Sequence, residues 1–377
     1  MHAFLTLAGL LRGEPPALPL TEPQWLTIVH AANDHRVLRV FTESTKTLDL
    51  RIPLSAASLI QAYKRESVGF SLLQIAEVAK ILSSAVAVGL RVIPLKGPVL
   101  LQRFYGDPVR RHSSDLDLLV PEPECAGLGA VLAALGYREQ FSGESVKSQW
   151  VRGPVMIEVH THFDEPVLLP FSMGPVWERA RCGSFQGQSC WHLHPSDELL
   201  FLSLHAARHG FQQLSWPLEL ARAYELFATE LPLTDGRWQP LSGQEATPLP
   251  GILLLGHAMA QRVSARAVPS VPVNTPARVR RRAVQLVDEF WDAALHGEAL
   301  HANRLRAYRY LLRLEPSAAG RARGLARQLW MCSTRHTSID LEIAERWRVR
   351  SRLGRWMLRQ AYLLGKLVGG RDTFARR

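Results

Sequence analysis

A chain of 377 residues with 47% hydrophobic content can bury a sizeable core spread over two or three domains. Its four cysteines, Cys125, Cys182, Cys190 and Cys332, are scattered, which excludes a disulfide framework and suits a reducing cytoplasm. The net charge is +11, and residues 276–377 alone hold 22 Lys and Arg against 9 Asp and Glu, a net +13, so the basic excess lies wholly in the last hundred residues.

The opening residues 1–11 are apolar but lack a basic leader and a small-residue cleavage site, and Arg12, Glu14 and two prolines follow, so a short first helix is expected rather than a signal peptide. Nothing in the chain reads as a membrane span. From Thr21 to Leu90 apolar positions recur every three to four residues, notably at 25–32 and 59–88, which predicts an N-terminal helical layer over residues 1–90.

Residues 91–95 read as a short buried strand running into Lys96-Gly97-Pro98 and an apolar-spaced helix that stops at Gly106. Gly97 suits the N-cap, Pro98 the first helical position, where its missing N–H costs nothing, and Gly106 the left-handed stop. A strand thus delivers Lys96 to a helix N-terminus, where free N–H groups, the helix dipole and an ammonium together favour phosphate.

The stretch His112-Ser113-Ser114-Asp115-Leu116-Asp117-Leu118-Leu119-Val120 is a strand with two acids in an apolar run. Alternation puts Asp115, Asp117 and Leu119 on one face and Leu116, Leu118 and Val120 in a core. Paired carboxylates raise one another's pKa unless a cation lies between them, and Mg²⁺ is the usual one. On that reading, replacing either Asp by Asn relieves repulsion and leaves stability nearly intact. Residues 155–163 alternate likewise, with Glu158, His160 and His162 on one face. Paired beside the Asp strand, Glu158 completes a three-carboxylate cluster able to hold two cations. His160 and His162 are expected on the acceptor side rather than as ligands, since imidazole prefers softer metals.

Cys190, His192 and His194 alternate on one strand face, with Cys182 nearby, but no Cys-x-x-Cys accompanies them, and ordinary strand histidines are the expectation. His205 and His209 lie one turn apart on a helix running from Ser196 to Gly210, without the glutamate of a zinc-protease motif. They are expected at the cleft or against the sheet. Helices resume over residues 196–275, interrupted by a Pro/Gly-containing loop at 231–251. Residues 276–377 form a basic helical region, in which Arg346, Arg348, Arg350, Arg352, Arg355 and Arg359 oppose an apolar face. Such a face suits an anionic membrane surface, a nucleic acid or plain solvent.

Leu95-Lys96-Gly97, Phe104-Tyr105-Gly106-Asp107-Pro108, Arg111, the run from Ser113 to Val120 and Ile157-Glu158-Val159-His160 together resemble the bacterial nucleotidyltransferase-family proteins of the polymerase-β-like superfamily. The resemblance covers about Leu20 to Glu225. It implies an α+β fold: a small mixed β-sheet core over residues 91–195, flanked by helices, with the N-terminal helical layer and a C-terminal helical region around it. It also implies two Mg²⁺ ions, a nucleoside triphosphate donor and transfer of a nucleoside monophosphate to a hydroxyl of a sugar, small molecule or protein. Asp115, Asp117 and Glu158 match the family's metal-binding and catalytic acids, and Lys96, Gly97, Arg111, Ser113 and Ser114 match residues expected near the phosphates. Many members of the superfamily carry Gly-Ser where this chain has Lys96-Gly97, so the donor contacts are not transferred atom by atom. Two other functional classes remain: a non-catalytic partner that keeps the fold, and a nucleic-acid or membrane-surface binder using the basic tail of a cytoplasmic protein.

Overall fold

The computed structural model describes residues 3–142, 147–164, 171–230, 249–265, 268, 276–296 and 310–334. Four helices open the chain, α1 (Ala3–Leu11), α2 (Glu22–Asp34), α3 (Leu38–Thr47) and α4 (Leu54–Ala87). A capping box starts α2, with Thr21 N donating to Gln24 Oε1 at 2.8 Å and Pro23 in the first turn, where no intrahelical donor is needed. α4 is long and apolar enough to cross a membrane by length and composition. In the fold, however, Val78, Ile81, Leu82 and Ala85, at helical positions i, i+3, i+4 and i+7, form one buried stripe in a core shared with the sheet.

The sheet has the order β1 (Ile93–Pro94), β2 (Leu116–Leu119), β5 (Val155–His160), β4 (Lys147–Arg152), β3 (Arg138–Ser142). Only β2 and β5 pair in parallel; the other neighbours are antiparallel, so the sheet is mixed. α5 (Pro98–Tyr105) connects β1 to β2, with Gly97 as N-cap at φ 72° and Gly106 as left-handed stop at φ 67°, as the sequence predicts. A 3₁₀ turn (Glu122–Glu124) and α6 (Cys125–Ala134) connect β2 to β3. The strand expected over residues 91–95 shrinks to two residues: Leu95 N still donates to its register partner Asp117 O at 2.9 Å, but the chain then turns at once into the Lys96-Gly97 corner.

Beyond the sheet come α7 (Gly174–Arg179), the hairpin of β6 (Arg181–Phe185) and β7 (Gln188–His192), and then helices α8 (Pro195–Arg208), α9 (Ser215–Phe227), α10 (Leu249–Val263), α11 (Ala277–Leu295) and α12 (Ala318–Thr334). α8 and α10 approach so closely that a Cβ on Gly256 would lie 2.4 Å from Ser203 Oγ. The N-terminal helices and α8 to α11 share one apolar core, whereas α4, α6 and the other face of the sheet enclose a second. β2 lies between them. Leu119, expected beside the acids on an open face, is fully buried in the helical core, while Leu116, Leu118 and Val120 fill the second. Each such side chain contributes about 1.5–3 kcal/mol by leaving water, so register at this strand is held from both sides.

Two expectations change where strands stop. β5 ends at His160, so alternation does not carry to His162, whose Nδ1 lies 3.0 Å from Thr161 Oγ1 and which lines a recess with Phe163 and Phe171. β7 ends at His192, and His194 instead caps α8, its Nδ1 accepting from Ser196 N at 3.3 Å. The Cys190, His192, His194 face is thereby broken, with Cys190 Sγ 3.7 Å from His192 Nε2. The basic helix expected at residues 341–363 and the loop at 231–248 lie outside the described residues.

Candidate active site

The parallel register of β2 and β5 sets Asp117 directly beside Glu158. Asp115 stands one residue before β2, where Ser114 Oγ donates to its Oδ1 at 2.8 Å. Antiparallel β4 brings Lys147 opposite His160, and its ammonium donates to both Glu158 oxygens at 2.8 and 2.7 Å. His160 Nε2 lies 3.0 Å from Asp117 Oδ1 and 3.5 Å from Glu158 Oε2. Lys96, turned off β1 by the corner at Gly97, reaches Asp117 Oδ2 at 2.8 Å. Three cationic or cation-capable side chains therefore interleave with the acids.

The charge states follow from this arrangement. Burial would raise the pKa of Asp117, but Lys96 and His160 outweigh it and hold the carboxyl well below its ordinary value. Burial likewise opposes ionisation of Glu158, yet the hydrogen bond from His160 and the Lys147 charge push it down to about 2. For His160, burial disfavours the imidazolium while the hydrogen bonds to Asp117 and Glu158 favour it more, so its pKa is raised. Asp115 goes the other way: burial, and then repulsion from Asp117, raise its pKa. His205, lowered by burial and by Lys96, is neutral, and its Nε2 lies 3.3 Å from Lys96 Nζ.

Above the acids opens a cavity of about 210 Å³, lined by Lys96, Arg111, Ser113, Ser114, Asp115 and Asp117 on the sheet side. Arg36, His205, His209, Gln212, Gln213 and Trp216 close it from the helices. His205 and His209 thus reach the cleft, their rings tilted against each other at 4.7 Å, and Trp216 packs edge-on to His205. Of the residues expected near phosphate, Lys96, Arg111, Ser113 and Ser114 share this cavity. Gly97 acts through the backbone: a Cβ there would meet Ser113 Oγ at 3.4 Å. Arg111 is fully engaged, its buried Nε donating to Glu219 Oε1 at 2.6 Å. His162 is the candidate that the fold leaves outside the group. Sequence reading missed Lys147, legible in principle as the residue facing His160 across a hairpin, and Arg36 and Trp216, for which no local signal exists.

Asp117, Glu158 and His160 present ligand atoms that all lie within 4.8 Å of one another. With Asp115 on the same cavity, the donors are chiefly hard carboxylate oxygens, the chemistry that suits Mg²⁺, and a divalent cation there would take over charge balance now supplied by lysines and His160. The residues fit such an ion.

The Lys147 pairing has a measurable pH signature. A carboxyl whose folded pKa is about 2 against an ordinary 4.5 contributes stability that is present above pH 4.5 and is lost as pH falls toward 2. Lys147→Met is therefore expected to be less stable than the parent at pH 7, with the gap in chemical-denaturation midpoints closing between pH 4.5 and 2. A gap independent of pH would contradict the assignment.

A small mixed sheet that sets an Asp strand beside a Glu strand, with a lysine at an adjoining strand-to-helix corner, defines a nucleotidyltransferase-type core. A family model described as an uncharacterised nucleotidyltransferase matches residues 21–234, and the chain belongs to that family. No curated protein and no solved structure matches it.

Proposed function

We propose that this protein moves a nucleoside monophosphate from a nucleoside triphosphate to a hydroxyl acceptor on a sugar, small molecule or protein. The observation that carries the reading is the pairing of Asp117 with Glu158 on adjacent parallel strands, with Asp115 on the same cavity, in a chain of a nucleotidyltransferase family. Asp115, Asp117 and Glu158 would hold Mg²⁺, which when bound offsets triphosphate charge and acidifies the attacking hydroxyl. Lys96, paired with Asp117 on the cavity wall, adds positive charge beside the phosphates. Neutral His205, packed on Trp216, keeps that lysine from collapsing away from the opening. The acceptor oxygen bonds to the α-phosphorus as the bond to the α,β-bridging oxygen breaks; pyrophosphate leaves and the hydroxyl proton passes to solvent. Glu158, kept ionised by His160 and Lys147, would anchor charge beside Asp117. His160 bridges the two acids and fixes their spacing.

The test supplies Mg²⁺ and each α-labelled nucleoside triphosphate in turn, with cell extract as acceptor source. Label should become covalently attached to an acceptor with release of pyrophosphate, and Asp115→Asn should lower transfer by at least about a hundredfold. Absence of both label transfer and pyrophosphate with all four nucleotides would refute the proposal.

A further inference from the structure

The cavity has a second charged wall, and it comes from the N-terminal helices. Arg36 follows the C-cap of α2 with φ 56°, a left-handed conformation usually taken by glycine, closed by Val37 N donating to Ala32 O at 2.8 Å. Ser215 N donates to His35 O at 3.2 Å, tying this turn to the start of α9 and holding Arg36 in the cavity wall beside Arg111 and Trp216. Neighbouring cations are all committed: Lys96 to Asp117, Arg111 to Glu219, Arg39 to Asp107 and Arg110 to Glu43. Among the described residues Arg36 has no carboxylate at salt-bridge distance.

A half-buried guanidinium on a cavity wall, with no carboxylate at salt-bridge distance among the described residues, is matched to a planar or tetrahedral oxyanion that it can grip with two N–H groups. The volume narrows the choice. At about 210 Å³ the cavity is smaller than the roughly 300–1,000 Å³ that encloses a drug-sized ligand, so it suits a polyphosphate tail better than a whole nucleotide. Since Asp115 and Asp117 line the same cavity, the tail would lie between the acids and Arg36.

We propose that Arg36 is a binding residue for the polyphosphate end of the donor, the part that departs as pyrophosphate; this rests on the nucleotidyl-transfer reading above. Burial, and then the Arg111 charge, lower the Arg36 pKa to about 10 and outweigh the opposing pull of Asp115 and Glu219.

The left-handed backbone supplies a clean test. Glycine is at ease at φ 56°, so Arg36→Gly removes the guanidinium while leaving the thermal midpoint unchanged or higher. Calorimetric titration with inorganic tripolyphosphate at fixed free Mg²⁺ should show binding by the parent, weakened about tenfold or more in Arg36→Gly, with Arg36→Lys between the two. Arg36→Asn, also tolerated in this conformation, serves if the glycine variant is less stable than the parent. Parent-like tripolyphosphate binding in Arg36→Gly and Arg36→Asn, or no binding by the parent, would overturn the inference. If no nucleotide is ever transferred but tripolyphosphate binding still depends on Arg36, the transfer reading fails and the anion site stands.

Discussion

Asp117→Asn is expected to be destabilising by about 3 kcal/mol and to abolish function, whereas Asp115→Asn is expected to match or exceed the parent in stability. Both are acids in one motif, and their environments separate them. Asp117, with its side chain 5% exposed, neutralises Lys96 and His160, so its loss strands buried positive charge. The figure sits at the low end of the cost of breaking a buried pair because the amide oxygen still accepts one hydrogen bond. Asp115 meets mainly burial and repulsion, both of which disfavour its charge, so a neutral amide removes an unfavourable term. The sequence-based expectation that either substitution relieves repulsion therefore fails for Asp117, whose like-charge neighbours are already offset. The Asp117→Asn deficit also has a pH dependence through His160. A raised imidazole pKa contributes stability that is present below its ordinary 6.5 and is lost as pH rises through the folded value, so the gap should shrink on the alkaline side. Urea denaturation of both variants across pH 5 to 9 checks this, and equal stability of the two at pH 6 would count against it.

The second large effect concerns Arg111 and Glu219. They form a 2.6 Å pair with side chains 8% and 4% exposed, and removing one partner leaves the other charged and buried. Glu219→Ala or Arg111→Met should each lower stability by about 3–5 kcal/mol, while Arg111→Met combined with Glu219→Leu should recover most of it, since an apolar pair of similar volume replaces the ions at little cost. Additive losses in the double variant would show that the two side chains do not act as a unit. The folded double variant also settles what Arg111 does for phosphate. If it binds tripolyphosphate as the parent does, Arg111 acts as a tie between the Asp strand's approach and α9, and the anion-binding charge resides in Lys96 and Arg36.

What could be read from the chain follows short-range physics. Gly97, Pro98 and Gly106 bracket α5 because their backbone preferences act within one turn of helix. The alternation around Asp117 and Glu158 marks strands since period two is a local property, and pairing those strands was enough to bring the two acids together. Even there, the strands stop short of the expected bounds: Asp115 precedes β2, although it shares the cavity with Asp117, and His162 follows β5 and leaves the group. Strand ends are fixed by neighbours across the ladder, which the strand's own sequence does not contain.

The sequence by itself determined the helical layers, the caps, the acid-bearing strands and the family. Tertiary structure alone decided that β2 is buried on both faces, that Lys96, Lys147 and His160 neutralise the acids, that Glu219 captures Arg111, and that Arg36 arrives from α2 with no carboxylate partner among the described residues. The reason is range. Capping and periodicity act over a few residues, but burial and ion pairing depend on which distant segments meet, as where Lys96 lowers the pKa of His205 from 109 residues away.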